Sequence, residues 1–211
     1  MLDEKKEHTN ELDEIELEVI GLENAKEENV EKKEASWLKE LVSTGVYLLV
    51  VVALTFLFVQ YVGQRTHVNG DSMNNTLENG DNLIVDKISY RFKEPERFDI
   101  IVFPYQYQEN TYYIKRIIGL PGETVQIEDG TIYVDGEVLE ESYGKETMRS
   151  AGIASQPIEL GEDEYFVLGD NRNNSSDSRD PSVGKIKGDD IVGRAFIRIW
   201  PFEKFGILKH Q

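Results

Sequence analysis

With no cysteine and only three histidines (His8, His67 and His210) in 211 residues, the chain has few ways to build a nucleophile or a metal site. A thiol nucleophile, a disulfide framework and a thiolate-bound metal are excluded, and the imidazoles lie far apart in sequence. What remains for covalent chemistry is a serine, a threonine, a lysine or a carboxylate. Ser72 stands out by position, because it follows a short extended run and a Gly70-Asp71 turn. Such a turn can hold a hydroxyl out from a sheet edge while the residue's own N–H faces a bound carbonyl. Met73 and Leu77 follow and can wall a small apolar pocket.

A serine needs a base. His67 is five residues away, about 17 Å along an extended strand, so a sharp turn would be required to use it. A lysine suits better if an apolar setting lowers its pKa from about 10.4 towards 7–8. A shift of about three units costs roughly 4 kcal/mol, which only a water-poor site imposes. In Tyr112-Tyr113-Ile114-Lys115-Arg116-Ile117-Ile118, alternation puts Tyr113, Lys115 and Ile117 on one face. Arg116 is expected on the opposite face, in solvent, and Lys87 beside Asp86 reads as a surface residue. A third polar segment, residues 169–179, carries two Arg, two Asp and three Ser directly after an apolar run. It can close a hydrogen-bond network in which Asp177 pairs with Arg179 or Arg172 and a serine hydroxyl orients a neutral amine. Taken singly, each feature also has a plainer reading: a turn serine, a strand-edge lysine, a solvated loop.

The elements that must position these residues are short and β-type. Candidate strands run over 65–69, 82–88, 99–103, 111–119, 123–127, 131–134, 165–168 and 191–199, with Pro121-Gly122, Asp129-Gly130 and Asp135-Gly136 as turns. No helical stripe of useful length and no internal repeat is visible after residue 65, and residues 140–162 read as a loop-rich insertion. Before this β-rich part lies a stretch of 24 residues, 41–64, without a charge. As a helix it spans about 36 Å, enough for a hydrocarbon core of about 30 Å. The net charge of −17 is divided around it. Residues 1–40 hold 14 acidic residues and six lysines, a net of −8, leaving −9 for residues 41–211. That balance argues against nucleic acid as a partner. The expected organisation is an acidic, disordered cytosolic tail (1–36), a transmembrane helix (37–64) and an extracytoplasmic β-rich domain (65–211). Lys26, Lys32, Lys33 and Lys39 on the N-terminal side against Arg65 alone on the other give that orientation, with Trp37 and Tyr61 as interfacial anchors.

Together these segments resemble bacterial type I signal peptidases (leader peptidases), membrane-bound serine proteases with a Ser/Lys dyad. The matching residues are Gly70-Asp71-Ser72-Met73 with Thr76-Leu77; Gly80-Asp81 with Val85 and Lys87; Tyr113 through Glu123; Gly169-Asp170-Asn171-Arg172 with Ser175, Asp177, Ser178 and Arg179; and Arg97 with residues 99–103. The resemblance covers about residues 41–205, and the single membrane segment and short ectodomain look like the compact Gram-positive-like forms. It implies a mainly β, signal-peptidase-like ectodomain with one N-terminal transmembrane helix. It also implies Ser72 as nucleophile, Lys115 as general base and the Ser72 N–H as oxyanion donor. Some members carry a hydroxyl where this chain has Gly70. Ser175 matches a serine that hydrogen-bonds the lysine, and Asp177 with Arg179 a pair that stabilises the loop. Val68, Met73, Leu77, Tyr113 and Ile114 match positions that line pockets for small residues before the cut. The implied partners are preproteins with signal peptides and the lipid bilayer; no metal or cofactor is implied. One departure is Asn75, where the family usually has proline. A self-cleaving Ser/Lys protease of the SOS-repressor type, a pilus-assembly relative and a non-enzymatic anchored β module are the alternatives.

Overall fold

The computed structural model describes residue 37 and residues 39–58 and 63–209, in two compact units. The expected tail, residues 1–36, and Tyr61 lie outside the described residues. In the first unit, α1 (Lys39–Phe58) is a 20-residue helix long and apolar enough to cross a membrane. Its Leu, Val and Phe side chains are exposed along its length, and Thr55 satisfies its hydroxyl by donating to the Val51 carbonyl at 2.8 Å. Exposure of so many large apolar groups costs roughly 25 cal/mol per Å² in water and nothing comparable in lipid.

Among the described residues the second unit holds twelve strands: β1 (Gly63–His67), β2 (Asn82–Asp86), β3 (Ile100–Pro104), β4 (Tyr112–Gly119), β5 (Thr124–Glu128), β6 (Thr131–Val134), β7 (Glu137–Val138), β8 (Ile158–Glu159), β9 (Glu164–Leu168), β10 (Ile186–Lys187), β11 (Gly193–Trp200) and β12 (Gly206–Ile207). All eight expected strands are present, with ends displaced by no more than two residues. The four unexpected ones, β7, β8, β10 and β12, are two residues long, too short for a period-two pattern to register. Among the described residues the helical segments between the strands are single 3-10 turns, one of them (Gly152–Ser155) inside the 140–162 insertion.

Pairing is antiparallel throughout, in a large sheet ordered β1-β2-β11-β3-β4-β9-β10, with β12 on β11, and a small one ordered β7-β6-β5-β8. Three apolar clusters hold them. Ile118, Phe166 and Leu168 of the large sheet meet Val125, Ile127, Ile132 and Val134 of the small one. Ile101, Phe103, Ile117, Tyr165 and Val167 pack on one face of the large sheet. Leu83, Ile100 and Ala195 pack with Val68, Met73 and Leu77 of the segment after β1. That last cluster anchors the Ser72 turn, since each buried side chain of this size contributes roughly 1.5–3 kcal/mol.

The ladder of β4 is uneven. Residues 112–116 pair with β3, while pairing to β9 begins only at Arg116. Among the described residues, 112–115 therefore have no strand on their second side, and β1 pairs with β2 alone. Two free strand edges are left beside the turn that carries Ser72.

Candidate active site

After β1 the chain continues beside residues 80–81 through Val68, whose N–H donates to the Asp81 carbonyl at 2.8 Å. It then reverses at Gly70, which sits at φ +102°, a conformation L side chains rarely adopt. The reversal is tied by the Gly70 N–H to Asn79 Oδ1 (3.0 Å), the Asn74 N–H to the Asp71 carbonyl (3.1 Å) and the Leu77 N–H to the Met73 carbonyl (2.8 Å). Asn75 is exposed on this turn. Met73 and Leu77 point into the core and Ser72 stays half-buried at the surface of the turn.

Lys115, at the end of the unpaired stretch of β4, is 3% exposed. Its Nζ donates to Ser72 Oγ at 2.8 Å and to the Ile114 carbonyl at 3.1 Å, and lies 4.9 Å from the centre of the Tyr113 ring. Across β3 its register partner is Ile101, so Ile101, Tyr113 and Ile117 make its face apolar, as alternation predicts. Burial pulls the ammonium down to about 8, although the Asp177 and Asp170 carboxylates act in the opposite direction. A neutral amine is thus within reach at ordinary pH, in contact with a hydroxyl. Lys87 is only partly buried and touches Gln64 (3.4 Å). His67 is exposed at the end of β1, on the rim of the same groove.

Arg116 corrects the expectation of a solvated residue. It is fully buried and makes a two-pronged ion pair with Asp170, Nε to Oδ1 at 2.9 Å and a terminal nitrogen to Oδ2 at 2.8 Å. It also donates to the Phe98 carbonyl (2.9 Å) and stacks 3.6 Å from the Tyr143 ring. The face opposite Lys115 is covered because Tyr143 and the Phe98 cluster lie over it.

The 169–179 loop is a closed network. Asp177 pairs with Arg179 (Nε to Oδ1, 2.8 Å) and accepts from the Gly169 N–H (3.0 Å), so of the two arginines considered it takes Arg179. Arg172 pairs instead with Glu141 and donates to the Gly169 carbonyl at 3.0 Å. Thr76 donates to Asp170 at 2.5 Å. Ser175 does not make the expected hydrogen bond to Lys115: its Oγ is buried and without a partner, because the lysine's hydrogen bonds go to Ser72 and the Ile114 carbonyl. Gly169 permits the close approach of this loop, since a Cβ there would run into Ser175 and the Ser72 carbonyl.

Ser72 and Lys115 open on a groove of about 500 Å³ whose walls include Thr66–Met73, Asn110–Ile114, Asn174 and Ser176. Val68, Met73, Tyr113 and Ile114 line it. Leu77 does not: it is fully buried beneath the turn, packed with Leu83 and Ile100. Unanticipated from the sequence were the Arg116–Asp170 pair and Asn171, which bonds the Ser72 turn twice. The only signal for either was their presence in the motifs, which carries no partner information.

A serine hydroxyl against a buried, low-pKa amine, in a groove between two free strand edges, is equipped to take an acyl group from an extended peptide, and the relatives of the chain are peptidases. Residues 38–200 match the family model for signal peptidase, peptidase S26, and the chain belongs to that family. It is 37% identical over 191 residues to the probable signal peptidase I-2 of Synechocystis sp., covering 88% of this chain and 85% of that one. It is 34% identical over 186 residues to signal peptidase I P of Bacillus subtilis subsp. natto, covering 85% and 96%. A crystal structure of a signal peptidase I from Enterococcus faecalis is 38% identical, covers 48% of this chain and 97% of that one, and superposes with a TM-score of 0.39.

Proposed function

We propose that the chain is a membrane-anchored endopeptidase that removes signal peptides from exported preproteins, with Ser72 as nucleophile and Lys115 as general base. The observation that carries this reading is the 2.8 Å approach of the buried Lys115 amine to Ser72 Oγ. Neutral Lys115 takes the Ser72 proton as Oγ attacks the scissile carbonyl, and the Ser72 N–H receives the developing oxyanion. The C–N bond then breaks, and the lysine's proton goes to the leaving amine of the mature protein. Lys115, neutral again, deprotonates a water that attacks the ester. The ester C–O bond breaks, Ser72 recovers a proton from Lys115, and the signal peptide leaves as a carboxylic acid that gives its proton to solvent.

The substrate lies extended beside residues 112–115 of β4, completing the ladder that β9 leaves open, and main-chain hydrogen bonds hold it there. Val68, Met73, Tyr113 and Ile114 narrow the groove for small side chains before the cut, and the Asp177–Arg179 pair holds the loop behind the lysine. Residues 37–64 anchor the enzyme, with residues 1–36 cytosolic and residues 65–211 outside, so that enzyme and substrate share one plane and a raised effective concentration.

The test is cleavage of a labelled preprotein by the full chain in detergent, with the new N-terminus sequenced. A cut after a small residue, lost by a factor of about a thousand or more in Ser72→Ala and Lys115→Ala, is expected. Undiminished cleavage by Lys115→Ala overturns the assignment of the base.

A further inference from the structure

The oxyanion donor is one N–H, on the peptide between Asp71 and Ser72, and no side chain stands at Gly70 to assist it. A lone donor in an exposed turn acts only if its peptide plane is held, because stabilisation depends on a fixed direction. Asn171 holds it. Its side-chain Nδ2 donates to the Asp71 carbonyl at 3.0 Å, and its backbone N–H donates to the Ser72 carbonyl at 3.0 Å. The two peptide planes that flank the Ser72 Cα are thus tied to one residue, itself 8% exposed and clamped in the loop.

The amide is planar and trans, so the Asp71 C=O and the Ser72 N–H point in opposite directions. Drawing the carbonyl towards Asn171 turns the N–H away from it. Asn171 is not among the residues that line the groove, whereas Ser72 is. We infer that Asn171 is a positioning residue that sets the direction of the oxyanion donor through the Asp71 carbonyl. The inference rests on the assignment of Ser72 and its N–H given above.

The side-chain arm can be removed alone, because the backbone N–H survives any substitution. Asn171→Ala deletes the donor. Asn171→Asp keeps the shape and puts an acceptor against the carbonyl. Both are expected to lower kcat on a peptide substrate about ten- to a hundredfold, a fraction of the loss seen when an oxyanion donor is deleted. KM should stay unchanged in both, and so should the midpoint of the acid limb that reports Lys115 in Asn171→Ala, which adds no charge. A substrate-like peptide aldehyde, whose adduct carries the oxyanion, should lose affinity by the same factor as kcat. The matching peptide alcohol should bind as before.

An unchanged kcat in both variants overturns the inference. So does a fall in Asn171→Ala accompanied by a shifted pH midpoint or by weaker binding of the alcohol, which would mean that the loop as a whole had loosened. Ser72→Ala, measured in parallel, separates the two levels: activity retained there refutes the underlying assignment, not only the role of Asn171.

Discussion

Replacing Lys115 with methionine should abolish cleavage and stabilise the fold at neutral pH. The lysine titrates near 8 in the folded chain against an ordinary 10.5, because burial disfavours its ammonium. Since the folded pKa is the lower, the unfolded chain binds more protons between about pH 8 and 10.5, and stability rises with pH across that window. Below pH 8 both states are protonated and the folded one carries the whole penalty, about 3 kcal/mol at about 1.4 kcal/mol per pH unit. Methionine has a similar length and no charge, so it removes the penalty. It also removes the hydrogen bonds to Ser72 Oγ and the Ile114 carbonyl, which are worth about 0.5–1.5 kcal/mol each. The net gain at pH 7 is then about 0–2 kcal/mol, or up to roughly 8 °C in Tm for a domain of this size. Thermal unfolding of both chains in detergent, followed by tryptophan fluorescence at pH 7 and pH 10.5, reads the difference. The gain should shrink towards zero or reverse at the higher pH, where the parent's lysine is neutral in the folded state and half neutral in the unfolded one. A Lys115→Met chain less stable than the parent at pH 7, or a difference that ignores pH, refutes the reasoning.

The same titration shapes activity: kcat/KM should rise about tenfold per unit up to pH 8 and level above it, as a pH profile on a neutral peptide will show. Asp177→Asn removes a carboxylate that holds the Lys115 pKa up, so its acid limb should move to lower pH, even where the maximal rate falls. Gly169→Ala should leave little activity, because the added methyl meets Ser175 and the Ser72 carbonyl; a variant cleaving at the parental rate would contradict that close approach. Asp170→Ala strands the Arg116 guanidinium in the core and should cost about 3–5 kcal/mol in urea unfolding.

Alternation in β4 placed Tyr113, Lys115 and Ile117 on one face, and a turn before Ser72 was legible from Gly70-Asp71. Alternation names a face but not what covers it, which is why Arg116 was expected in solvent and found buried under Tyr143. Depth was invisible for the same reason. Leu77 and Val68 look alike as apolar neighbours of the serine, yet only Val68 reaches the groove. Within the 169–179 loop the polar composition implied a network, while the choice of partners depends on which strands the loop meets after folding. Arg172 found Glu141, 31 positions away, and Ser175 found none.

The buried Arg116–Asp170 pair is expensive by itself, because desolvating both charges consumes most of what their attraction returns. Its place in the chain shows what it accomplishes. Arg116 follows Lys115 on β4, and Asp170 precedes Asn171, which is bonded to the carbonyls on both sides of the Ser72 N–H. Ser72 and Lys115 come from segments 43 residues apart, and β1 and β4 are not neighbours in the sheet. The ion pair therefore closes a short circuit, from Lys115 through Arg116, Asp170 and Asn171 back to Ser72, with Thr76 joined to Asp170 as a second tie to the serine turn. A hydrophobic pair of equal volume would fill the core as well, but it would not set a direction between β4 and the loop. The charge pair does so because its two-pronged geometry fixes angle as well as distance. The 2.8 Å between amine and hydroxyl is held from behind by charges that never touch the groove.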